Sequence, residues 1–148
     1  MFKIATSFIG VADKEESMTG REFEKYMVDW LSDKGFWVHR MAESNTGSQP
    51  FDIIALRGYK VCAFDCKVIS TKRPYFPFSR VEENQKLAFE KLIKCYKNNL
   101  SVGFMIYYEG DIYFLNYHLF KVLSDVDKKK GYKLTESSRI ENLESYFL

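Results

Sequence analysis

The chain has 148 residues, a size for one domain, and its 46% hydrophobic and 28% charged residues exclude wholesale disorder. No apolar run is long enough to span a bilayer, and residues 1–11 lack the apolar region and cleavage site of a signal peptide. Three cysteines without CxxC spacing argue against a disulfide framework or a zinc site, and place the protein in a reducing cytoplasm (the host's, if phage-encoded).

A net charge of +2 does not imply nucleic-acid binding by itself, but its distribution is uneven. Residues 1–56 sum to −3, residues 57–97 to +6 and residues 98–148 to −1. A basic segment of this kind marks a polyanion-binding face or a solvated Lys-rich helix, and charge alone favours neither.

In chain order, Thr19-Gly20-Arg21-Glu22 fits a capping box, and Phe23, Met27, Trp30 and Leu31 recur at helical spacing up to a stop near Gly35. Phe36 to Met41 alternates as a strand, and Ala42 to Pro50 reads as a loop. Phe51 to Leu56 and Lys60 to Ile69 form a hairpin about Arg57-Gly58-Tyr59. Ser70 to Phe78 is irregular, basic and aromatic. Ser79-Arg80-Val81-Glu82 reads as a second capping box opening a helix to about Asn98, with Leu87, Phe89, Leu92, Ile93 and Tyr96 among its apolar positions. Ser101 to Tyr108 and Asp111 to Tyr117 are strands joined at Glu109-Gly110, and His118 to Leu123 starts a further helix. The order α-β-β-β-α-β-β implies an α/β sandwich with a mixed sheet. The tail beyond Gly131 has no assignable place.

Two acids stand inside strands that otherwise read as buried: Asp52 in Phe51-Asp52-Ile53-Ile54 and Asp65 in Ala63-Phe64-Asp65-Cys66-Lys67. A buried carboxylate is costly unless paired or bound to a metal. Strand period two puts Asp65 and Lys67 on one face, with Cys62 and Cys66 packed on the other. Paired strands bring Asp52 and Asp65 toward one cation, and two oxygens plus water suit Mg²⁺, with Lys67 beside them. Glu24 borders the buried stripe of the first helix and reaches the site from above the sheet. Asp-x-Lys is a common tripeptide, and a structural Asp65–Lys67 ion pair explains that much. It leaves Asp52 unexplained.

Together these residues resemble the PD-(D/E)XK nuclease superfamily, and within it the Holliday-junction resolvases of the RecU and archaeal Hjc types. The likeness runs from about Gly20 to Tyr117. It rests on Gly20-Arg21-Glu22-Phe23-Glu24, Lys34-Gly35-Phe36-Trp37-Val38-His39-Arg40, the Ser44 loop, Gln49-Pro50-Phe51-Asp52, Asp65-Cys66-Lys67 and the helical Gln85. It implies a restriction-endonuclease-like core, α-β-β-β-α-β, with a central mixed sheet flanked by helices. By the same likeness Glu24, Asp52, Asp65 and the carbonyl of Cys66 hold Mg²⁺ (or Mn²⁺), and Lys67 serves the attacking water. Two features depart from the family pattern: Pro50 stands two places before Asp52, and Asp65 replaces the usual Glu with a shorter reach.

Arg40, Ser44, Lys72, Arg73, Arg80 and Gln85 are the candidate DNA contacts, each with a bland alternative as a solvated loop or surface residue. Tyr75, Phe76 and Phe78 stack at an opened junction or simply cover the core. The expected protein is a single nuclease domain, with a core of about 19–117 and peripheral additions at 1–18 and 118–148. It is a Mg²⁺-dependent endodeoxyribonuclease resolving four-way junctions in recombination and repair, and a homodimer because two strands must be cut symmetrically. The alternatives are a flap- or duplex-cleaving nuclease on the same core, and a non-catalytic nucleic-acid-binding module. No phosphate-cradling glycine loop or Ser/Cys-His triad is present, so a small-molecule cofactor or covalent hydrolysis is not expected.

Overall fold

The computed structural model describes residues 18–42, 49–97 and 99–147. Helix α1 (Gly20–Asp33) begins at Thr19, whose hydroxyl accepts the Glu22 N–H at 3.1 Å while its own N–H donates to Glu22 Oε1 at 2.9 Å. Phe23, Met27, Trp30 and Leu31 form its buried face, and the chain leaves it where Gly35 adopts φ +88°.

Strands β1 (Trp37–Arg40), β2 (Ile53–Arg57) and β3 (Lys60–Val68) form an antiparallel meander, with Gly58 at φ +58° in the β2–β3 turn. A short strand β4 (Tyr75–Pro77) and a 3₁₀ turn (Phe78–Arg80) lead to helix α2 (Glu83–Cys95). The chain then crosses to β5 (Leu100–Tyr108), parallel to β3, and returns as β6 (Asp111–Asn116). Glu109 and Gly110 both take positive φ, 46° and 87°, as a tight hairpin requires. The five-stranded mixed sheet has the order β1-β2-β3-β5-β6. This is the expected α-β-β-β-α-β core.

Alternation along β3 divides the interior. Cys62 and Phe64 face α1, packing with Phe23, Met27 and Leu31, while Ala63 faces α2 with Phe89, Val102, Phe104 and Ile106. Burial pushes the Cys62 thiol up to about 12, consistent with a packing role. Among the described residues no helix is long and apolar enough to cross a membrane.

Three local expectations need correction. The second capping box does not lie at Ser79–Glu82. Phe78 is buried with its ring 4.9 Å from Phe120, so residues 78–80 are drawn into the 3₁₀ turn, and Glu82 caps α2, its N–H donating to Gln85 Oε1 at 3.1 Å. The helix also ends at Cys95, short of Asn98, and only Phe89 of its expected apolar positions is buried outright; Leu87 is 63% exposed. The stretch Ser70–Phe78 is not wholly irregular, because β4 pairs with β7 (Gly131–Lys133) from the tail.

That tail closes the molecule. Helix α3 (Tyr117–Lys121) runs into a π-helical turn (Val122–Val126), and after β7 two 3₁₀ turns (Glu136–Ser138 and Ile140–Asn142) lead to the short helix α4 (Glu144–Phe147). Buried Arg139 pairs with Asp111, Glu136 and Glu141 at 2.6, 2.9 and 2.8 Å. Phe147 is fully buried among Trp30, Phe64 and Phe114, with ring centroids 6.2, 5.8 and 5.3 Å away. Phe147→Ala should therefore destabilise the fold by about 3–5 kcal/mol. Urea unfolding measures this, and a loss under about 1 kcal/mol would show that the aromatic cluster does not need the tail.

Candidate active site

The hairpin register carries Asp52 to a place opposite Asp65. Ile53 pairs with Phe64 at the end of β2, and the Asp52 N–H continues the ladder by donating to the Phe64 carbonyl at 3.0 Å. Asp65 pairs with Phe104 on the α2 face of the sheet, so its carboxyl points toward that helix. Both acids are buried, Asp52 at 9% exposure and Asp65 at 3%.

Each carboxyl is held by directed donors. Asp52 Oδ2 accepts the Cys66 N–H at 2.7 Å and Oδ1 accepts Gln49 Nε2 at 2.6 Å. Asp65 Oδ1 accepts Gln85 Nε2 at 2.9 Å. Asp65 Oδ2 faces the Lys67 ammonium at 3.0 Å in an ion pair, yet it is buried and receives no well-aligned hydrogen bond. Same-face placement of Asp65 and Lys67, expected from strand period, is thus observed.

Electrostatics make this a strained pair. Burial, and then the neighbouring Asp65 charge, push the Asp52 carboxyl from 3.8 up to about 7 against the pull of the Cys66 N–H. Burial also raises Asp65, which the Lys67 ammonium opposes. The two carboxyls are close enough to share the Asp52 proton. A buried oxygen without a directed donor, beside a second carboxyl that resists ionisation, fits a hard divalent cation, which would supply the missing positive charge.

Glu24 enters from a different element. It comes from α1, on the opposite face of the sheet, and Arg40 Nε donates to its Oε1 at 3.0 Å. Its charge still raises the Asp65 carboxyl. Among the described residues no three His, Cys, Asp or Glu side chains are arranged to hold a metal ion. Arg40, expected at the phosphate backbone, lines an open cleft with Arg21, Glu24 and Met41.

The other candidate contacts divide by burial. Lys72, Arg73 and Arg80 are exposed at the end of β3 that carries Lys67; Arg73 lies over the Tyr75 ring at 5.2 Å and Arg80 donates to the Val68 carbonyl at 2.7 Å. Gln85 is buried, with its side chain engaged by Asp65 and the α2 cap. Phe76 and Phe78 are buried, so packing accounts for both. Ser44 lies outside the described residues.

Two polar side chains at the site had no role assigned from sequence. Gln49 donates to Asp52, and Asn84 Nδ2 donates to the Gln49 carbonyl at 3.0 Å. Gln49 was legible as a donor three residues before a buried acid. Asn84 gave no signal, because its contact spans 35 residues.

Comparison with known proteins agrees with this architecture. The family model "Archaeal holliday junction resolvase (hjc)" matches residues 15–137. Among solved structures, Hjc of Archaeoglobus fulgidus, a Holliday junction resolvase from an archaeal hyperthermophile, is 17% identical with a TM-score of 0.51, and the match covers 82% of this chain and 88% of that one. No curated protein matches. The restriction-endonuclease-like α/β core and the extent of the family match lead to one assignment: the chain belongs to the archaeal Holliday junction resolvase (Hjc) family of metal-dependent, structure-specific endonucleases acting on branched DNA.

Proposed function

We propose that this protein resolves four-way DNA junctions, with Asp52 and Asp65 holding Mg²⁺ and Lys67 serving the reaction beside them. The observation that carries this reading is the meeting of two buried carboxyls, one of them with an oxygen lacking a directed donor, beside the Lys67 ammonium. Mg²⁺, when bound, polarises the phosphodiester and stabilises the leaving oxygen.

The protein's own groups do the rest. The Cys66 N–H and the Gln85 amide orient the acids, so the carboxylates need little rearrangement. The Lys67 ammonium, only 13% exposed, steadies negative charge developing on the phosphate and orients the incoming water. Glu24, which now accepts from Arg40 at 3.0 Å, and the Cys66 carbonyl would complete the ligand set. Lys72, Arg73 and Arg80 bind backbone phosphates at the same end of β3. Two chains act as a symmetric dimer, one for each strand of the junction.

The test is cleavage of labelled four-way junctions against linear duplex and flap substrates, with Mg²⁺, with Mn²⁺ and with chelator. Paired symmetric nicks in the junction and an intact duplex are expected, with no cleavage in chelator. Preferential flap or duplex cutting would replace the resolvase reading with another structure-specific nuclease. Metal-independent junction binding without any cleavage would leave a binding module.

A further inference from the structure

We propose that Gln49 and Asn84 form a relay that fixes the Asp52 carboxylate from helix α2, with Gln49 touching Asp52 and Asn84 acting through Gln49. This rests on the reading of Asp52 as a metal ligand. Both residues are positioning residues; neither is assigned contact with substrate.

The geometry begins at Pro50. The residue before a proline is pushed toward extended backbone, which restricts Gln49 to a narrow range of conformations. From there its Nε2 reaches Asp52 Oδ1 at 2.6 Å, a charge-assisted bond whenever Asp52 is ionised. Asn84, in the first turn of α2, holds the Gln49 carbonyl at 3.0 Å. Phe51, between them in the chain, stacks on Phe89 of the same helix with ring centroids 5.6 Å apart and planes 21° from parallel. The next residue of that turn, Gln85, holds Asp65 at 2.9 Å. One helical turn therefore references both acids, Asp65 directly and Asp52 through Gln49. The Cys66 N–H fixes only Oδ2 of Asp52, and without Gln49 the other oxygen has no donor among the described residues.

The test uses the full chain and reads Mg²⁺ binding as the metal-dependent rise in Tm, independent of cleavage. Wild type, Gln49→Ala, Asn84→Ala, the double variant and Asp52→Asn are titrated with Mg²⁺. Asn84→Leu is added because it keeps the branching at Cγ, removes the donor and is a better helix former, so it separates a positioning effect from a folding defect. Gln49→Ala, Asn84→Ala and Asn84→Leu should each raise the half-saturating Mg²⁺ by about tenfold, as loss of a ligand's supporting hydrogen bond does. The double variant should bind no more weakly than Gln49→Ala, because the two act in series. Wild-type Mg²⁺ binding by Asn84→Leu, additive effects in the double variant, or tighter binding by Gln49→Ala would each overturn the relay. If Asp52→Asn loses the Mg²⁺ response while Asn84→Leu retains it, only the relay fails. If Asp52→Asn responds to Mg²⁺ like wild type, the ligand assignment fails with it.

Discussion

Asp52→Asn should reduce Mg²⁺-dependent junction cleavage on the order of a thousandfold while making the metal-free protein more stable at pH 8. The loss of activity follows from removing one of two anionic oxygens at the proposed metal position. The gain in stability follows from linkage. Asp52 titrates at about 7 in the folded chain against an ordinary 3.8, so the folded state binds the proton more tightly than the unfolded state. Between about pH 4 and pH 7 the folded protein holds more protons, and its stability falls as pH rises through that window. The resulting penalty is absent below about pH 4 and complete above about pH 7; it amounts to roughly 2–4 kcal/mol. Asparagine carries no such charge and still offers an acceptor to the Cys66 N–H. Thermal melts in chelator at pH 4.5 and pH 8 should show the variant and wild type converging at the lower pH and separating at the higher. A variant that melts below wild type at pH 8 would mean that the carboxylate is stabilised by its surroundings, contrary to the burial seen here.

Mg²⁺ affinity should fall about tenfold for each pH unit below 7 and level off above it, a change on the order of a hundredfold between pH 5 and pH 7. A cation entering the site competes with the proton on Asp52, which burial and Asp65 hold up to about 7. A surface carboxylate, already ionised across this range, would show no such dependence. Calorimetric titration in two buffers of different ionisation enthalpy should detect close to one proton released per Mg²⁺ at pH 6 and almost none at pH 8. An affinity constant from pH 5 to pH 8 would show that the pair does not take up the metal through Asp52. The same coupling means that bound metal removes the repulsion that destabilises the empty pair, so Mg²⁺ should raise the Tm of wild type and leave that of Asp52→Asn nearly unchanged.

Much of the core was readable because its signals are local. Thr19 and Glu22 form the helix start their spacing announced, and Gly58 and Gly110 turn where a positive φ was needed. Alternation in β3 separated Cys62 from Asp65 and placed Lys67 beside that acid. The second capping box misled because Ser79 lies within reach of local rules while the burial of Phe78 against Phe120, 42 residues later, overrides them. The sequence also suggested Glu24 as a third acid at this point; its local pattern gave no sign that Arg40 would pair with Glu24, or that Gln85 from the second helix would hold Asp65.

What the amino-acid order determined unaided was the succession of elements, the hairpin that sets Asp52 across from Asp65, and the Asp65–Lys67 face, all consequences of periods and turns within a few residues. The tertiary structure alone decided which donors hold each carboxyl, how Glu24 is engaged, and that Phe147 fills the aromatic cluster beneath α1. Those outcomes depend on the packing of segments dozens of residues apart, and that packing limits voids and buried polar atoms without partners across the whole molecule, a criterion no short window of sequence contains.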